Sequence, residues 1–123
     1  MTEWKNCPGV QTDPDVLAGY TEDASGLVGT PDGLVRARDC RDVAEAVEWA
    51  WAHRAPVTPV GSRTSTTGSA APTHGGLVLS LEGVGGIERL EERVVRVGSG
   101  VNLGELKRHV QGFGMLYLSL IHI

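Results

Sequence analysis

Seventeen glycines in 123 residues, about twice the usual share of roughly 7%, constrain this chain more than any other feature. They cluster at 61–68, 75–76, 83–86, 98–104 and 112–114. Glycine weakens helix and strand interiors and favours tight turns and close backbone approach. The clusters therefore predict short elements joined by sharp turns, with some loops built to let a ligand come near the main chain. No Gly-X-Y period and no low-complexity block is present, which excludes collagen and argues against disorder.

Between the clusters, local patterns give an order of elements. Residues 1–30 are polar and rich in breakers such as Pro8-Gly9, Asp13-Pro14 and Gly29-Thr30-Pro31, and read as an arm with one short helix near Pro14–Ala18. Leu34–Ala37 reads as a strand. Asp39 or Arg41-Asp42 then opens a helix whose apolar stripe is Val43, Ala46, Val47, Ala50 and Trp51, ended by Pro56. Val57–Val60 and Leu77–Leu81 read as strands, the second as a buried one, and Ile87–Leu90 with Val94–Val97 as a hairpin. Asn102 caps a last helix with Glu105 placed for a capping box; Leu103, Leu106 and Val110 form its apolar stripe, and Gly112 ends it. The resulting order, β-α-β-loop-β-β-β-α, is a mixed α+β chain without internal repeat.

Length and a 41% apolar content suit one hydrophobic core. A net charge of −4, with the eleven Lys and Arg residues scattered, argues against nucleic acid or an anionic membrane as the main partner. The two cysteines, Cys7 and Cys40, have no metal-site or CxxC spacing and read as free thiols of a reducing compartment. The first ten residues lack a secretory apolar run, and no stretch is long enough to span a bilayer. The expectation is a soluble, cytoplasmic protein.

The stretch Pro59 to Ala70, Pro-Val-Gly-Ser-Arg-Thr-Ser-Thr-Thr-Gly-Ser-Ala, carries the most chemistry. It leaves a strand and offers consecutive backbone N–H groups flanked by small hydroxyl side chains. A concave run of such donors suits a phosphate group, and Arg63 supplies positive charge. The same composition also describes an ordinary solvated connector. A nucleotide P-loop is excluded, because no Gly-Lys-Ser/Thr triplet follows. Gly98-x-Gly100-x-x-x-Gly104 imitates a dinucleotide fingerprint but has the wrong spacing. His53 is placed to cap a helix C-terminus, His74 lies in a loop and His109 on a polar helix face; together they form no metal or catalytic set. Trp4, Trp49 and Trp51 read as packing and surface groups.

Taken in order, four stretches resemble the FAD-linked oxidases of the vanillyl-alcohol oxidase type, whose flavin module is also called the PCMH-type FAD-binding domain. They are Tyr20-x-x-Asp23-Ala24-Ser25 followed by Pro31–Val35; the helix Asp39 to Ala52; the loop Gly61 to Gly68; and Val95 to Leu106. The pattern resembles the glycolate oxidase subunit and D-lactate dehydrogenase branch. The resemblance implies a small β-α-β subdomain plus the start of a second, with FAD as partner. It places Gly61, Ser62, Arg63, Thr64, Ser65, Gly68 and Ser69 around the FAD diphosphate, mainly through backbone N–H groups. Ser62 and Arg63 stand where the family often has glycine. No histidine lies between Gly61 and Gly68, which implies non-covalent FAD.

By the same resemblance the whole protein oxidises a small 2-hydroxy acid by hydride transfer to flavin. Its catalytic residues are expected beyond the end of this chain, which alone is expected to be inactive. Residues 31–117 then form a partial flavin domain. Leu118-Ser119-Leu120-Ile121-His122-Ile123 reads like a translated sequencing adapter, an expected non-native tail. The alternative to an enzyme is a non-catalytic nucleotide- or anion-binding module that uses the same loop.

Overall fold

The structure, a computed structural model, describes residues 4–117; the expected tail at 118–123 lies outside them. Three strands, β1 (Gly33–Arg36), β2 (Val57–Val60) and β3 (Leu77–Ser80), form one parallel sheet in the order β1-β3-β2. Every residue of β3 is buried, as a central parallel strand covered on both faces requires. In the shared register Arg36 and Val60 both sit beside Ser80, so the carboxyl ends of all three strands meet on one side.

Each face of the sheet has its own apolar cluster. On one face Val35, Leu77 and Leu79 pack with Ala46, Trp49 and Ala50 of α2 (Cys40–Ala52), joined by Cys7, Ala37 and Val84. On the other, Leu34, Val60 and Val78 pack with Ala70 and with Val16, Leu17 and Tyr20. The latter belong to α1 (Pro14–Leu17) and the 3₁₀ turn after it. Asp13 caps α1, accepting from the Asp15 amide at 2.9 Å with Pro14 at the first helical position, where a missing N–H costs nothing. The polar first thirty residues thus contribute apolar contacts to both faces, and Gln11 bridges to Leu34 at the margin of β1.

The helix α2 starts one residue after Asp39, whose side chain accepts from the Asp42 amide at 2.9 Å. It ends in a Schellman arrangement: Ala55 N–H donates to Ala50 C=O at 2.9 Å and Arg54 N–H to Trp51 C=O at 3.2 Å, with Arg54 at φ 53° where glycine is usual. His53 caps this end, its Nδ1 2.8 Å from Trp49 C=O and its ring stacked on Trp49 at 4.2 Å. The stripe expected from sequence needs correction here. Trp49 is buried at 6% exposure, whereas Trp51 is 86% exposed and Val47 also faces outward.

Beyond the sheet, β4 (Ile87–Glu91) and β5 (Val94–Val97) form the expected antiparallel hairpin, with a register shift between Arg89 and Glu91. The last helix, α3 (Leu103–Gln111), is capped by Asn102, which accepts from Gly104 N–H at 2.8 Å. Glu105 makes no return bond among the described residues, so only half of the capping box forms. Leu106 and Val110 are buried; Leu103, expected on the same stripe, is 39% exposed.

Candidate functional site

The loop from Gly61 to Ser69 leaves the carboxyl end of β2, the side on which open α/β sheets bind ligands. Its geometry follows from which of its polar groups are already engaged. The Ser65 hydroxyl lies 2.8 Å from Ser69 Oγ and 3.2 Å from Thr67 Oγ1, and accepts from the Thr67 amide at 3.3 Å. Among the described residues, the amides of Gly61, Ser62, Arg63, Thr64, Ser65, Thr66, Gly68 and Ser69 donate to no protein acceptor. A run of backbone donors without protein partners is the surface an anionic group needs. The hydroxyls of Ser65, Thr67 and Ser69 are turned on one another, so the free donors are chiefly main-chain N–H groups.

Gly68 closes the loop at φ 84°, and a Cβ there would stand 2.4 Å from Leu27 Cδ1. The backbone conformation favours glycine there, while the steric contact is only with the tip of the exposed Leu27 side chain. Arg63 also has a positive φ, 56°, which costs a side-chain-bearing residue about 1–2 kcal/mol. Its guanidinium carbon sits 4.9 Å from the centroid of the Tyr20 ring, in cation–π range. Its Nε is buried without a hydrogen-bond partner among the described residues.

What holds the loop was not visible in the sequence. Asp23 is buried at 8% exposure and its carboxylate accepts from the Ser25 hydroxyl, from the Ser25 amide at 2.9 Å and from the Ala70 amide at 3.2 Å. The Ser25 hydroxyl, then the amides of Ser25 and Ala70 and the Ser65 hydroxyl, hold this carboxyl below its ordinary range despite its burial. Asp23 thereby ties the arm to the far end of the loop. The pattern Asp23-x-Ser25 signals a local Asx turn, but nothing local signals the bond to Ala70.

The other glycine motif behaves differently. Gly98 N–H donates to Gly86 C=O and Gly100 N–H to Val84 C=O, both at 2.8 Å. A Cβ on Gly98 would meet the carbonyls of Val84 and Gly85 at 2.3 Å, and one on Gly100 the Leu81 carbonyl at 2.1 Å. These glycines let two backbone segments cross, and their donors are spent inside the protein. Among the described residues no group of His, Cys, Asp and Glu could hold a metal, and no helix is long and apolar enough to cross a membrane. Both cysteines are free thiols, Cys7 buried and Cys40 exposed. His74 and His109 are exposed.

Residues 31–120 match the family model described as an FAD binding domain, and the chain belongs to that family. A D-lactate dehydrogenase of Anaerostipes hadrus is 33% identical over 107 residues, 84% of this chain and 22% of the relative. The glycolate oxidase subunit GlcD of Bacillus subtilis (strain 168) is 30% identical over 89 residues, 71% of this chain and 19% of the relative.

Among solved structures, 6-hydroxy-D-nicotine oxidase from Arthrobacter nicotinovorans superposes with a TM-score of 0.73 at 22% identity, covering 87% of this chain and 24% of that one. The p-cresol methylhydroxylase crystallised with substrate bound gives 0.71 at 20% identity, covering 93% and 24%. The fold is thus that of the PCMH-type FAD-binding domain, as the sequence resemblance implied. The chain spans about a fifth of the length of the curated relatives it matches.

The residues present fit the cofactor. The loop offers unengaged amides, small side chains that permit close contact, and a cation at Arg63.

Proposed function

We propose that this chain holds the diphosphate of a non-covalently bound FAD on the Gly61–Ser69 loop, as the flavin-binding part of an FAD-dependent oxidoreductase that oxidises a 2-hydroxy acid. One observation carries the diphosphate site: all of the loop's amides except that of Thr67 have no protein acceptor among the described residues, whereas those of Gly98 and Gly100 do. Gly61, Ser62, Arg63, Thr64 and Ser65 would present main-chain donors, with Gly68 and Ser69 closing the pocket. Residues 1–30 act as the arm that brings Asp23 to the loop, and residues 31–117 form the partial flavin domain.

Bound FAD supplies a two-electron acceptor for hydride, while this chain binds and orients its diphosphate end. The substrate class is supported by relatives named for D-lactate, glycolate and D-2-hydroxyglutarate, all 2-hydroxy acids. Non-covalent attachment is supported by the absence of histidine from Gly61 to Gly68.

Purification of the whole protein followed by acid precipitation tests the reading. A yellow protein that releases all its flavin as FAD into the supernatant is expected. Flavin retained in the pellet would overturn non-covalent binding. A colourless protein stabilised by ADP but not by FAD would favour the nucleotide- or anion-binding module.

A further inference from the structure

Arg63 of the loop has a basic neighbour, Arg36, that the backbone-donor site does not include. Arg36 ends β1 and shares its register position beside Ser80 with Val60, the last residue before the loop. Its Nε donates to the Tyr20 hydroxyl at 3.4 Å, and its Cζ lies 5.9 Å from the Tyr20 ring centroid. Arg63 Cζ lies 4.9 Å from the same centroid. Two guanidinium groups are thus gathered on one phenol, on an otherwise acidic chain of net charge −4.

Neither cation has a carboxylate partner among the described residues, whose ion pairs involve Arg38, Arg41 and Arg96. Gathering like charges without a counter-ion is unfavourable. Arg63 adds a left-handed backbone and a buried, unpartnered Nε. Such features persist where the surroundings impose them and concentrate at binding sites. A multiply charged anion lying against the cluster, next to amides that lack acceptors, offsets the gathered positive charge.

We infer that Arg36 and Arg63, held on Tyr20, form the side-chain half of a diphosphate clamp whose other half is the Gly61–Ser69 backbone. The inference rests on the proposed loop site and deepens it: the clamp selects a dinucleotide or nucleoside diphosphate over a flavin without phosphate. Tyr20 acts as a positioning residue, keeping both guanidiniums at the carboxyl end of the sheet.

Calorimetric titration of the full chain with FAD, ADP, riboflavin and inorganic pyrophosphate, at several ionic strengths, tests it in the wild type, Arg36→Gln, Arg63→Gly and the double variant. Glycine suits φ 56° at position 63, so Arg63→Gly removes the charge without threatening the fold. Each single change is expected to weaken FAD and ADP about tenfold, as loss of a charge-assisted contact does, and to flatten the salt dependence. Riboflavin binding should not change. FAD bound by the wild type and the double variant with equal affinity and equal salt slope would overturn the clamp and leave the loop reading standing. If the wild type binds no FAD but binds pyrophosphate in an Arg36-dependent way, the flavin reading falls and the clamp stands. Binding of neither ends both.

Discussion

Asp23 is an anion set against a loop whose free amides attract anions, and its bonds resolve the conflict. All of its hydrogen-bond partners are donors: the Ser25 hydroxyl and amide and the Ala70 amide. They favour the charged form, chiefly through Ser25, so the folded carboxyl sits below its ordinary value. A lowered folded value adds stability that is fully present above the unfolded value of about 3.9, and is lost as pH falls through the folded one. Wild-type loop stability and FAD affinity should therefore hold at neutral pH and fall in acid. Asp23→Asn puts an NH₂ group where only acceptors serve. It should weaken FAD severalfold at pH 7 and show a smaller further loss on acidification. Identical titration curves for the two proteins between pH 7 and 3 would sink the idea. The sequence made Gly61 to Ser69 legible because that run is local and compositionally unusual. It marked Tyr20 and Asp23 only as part of a resembling stretch and hid their contacts and those of Arg36, which arise only when the chain returns, as the bond between Asp23 and Ala70 shows.

At the scale of elements, α2 shows how far periodicity reaches. Its start at Asp39, one of two openings the sequence allowed, and its end before Pro56 were readable. The expected stripe included Val47 and Trp51, but the face toward β3 carries Val43, Ala46, Trp49 and Ala50. Two tryptophans two positions apart point roughly 200° apart around a helix, so only one can enter the core. Both choices leave a plausible apolar stripe in the sequence. The structure decides because Trp4, 4.9 Å from Trp49, and His53, stacked beneath it, enclose that ring. Trp49→Ala should cost about 3–5 kcal/mol in chemical denaturation, the usual loss for a buried large aromatic. Trp51→Ala should stay within about 0.5 kcal/mol of wild type. Comparable losses for both would mean that the buried face has been misplaced.

The whole molecule divides into a sheet covered on both faces and a hairpin with much apolar surface still exposed. Leu77–Ser80 is wholly buried, while Leu90, Val94 and Val97 of the hairpin are exposed. The sequence showed the order of these strands but not that β3 inserts between β1 and β2, since pairing across a crossover leaves no local mark. A two-stranded hairpin is marginal without further packing, so local opening should be cheapest there. Amide hydrogen exchange on the full chain should then rank β3 slowest, with β4 and β5 well ahead of it. Adding FAD extends the test to the site. The amides of Gly61 to Thr66, which now lack acceptors, should slow markedly when a diphosphate occupies the loop. Gly98 and Gly100 already donate to carbonyls of Gly86 and Val84 and should change little. Slowing at Gly98 and Gly100 with none at Gly61–Thr66 would move the cofactor site to the second glycine turn. The division of labour between the two glycine-rich segments would then have to be reversed.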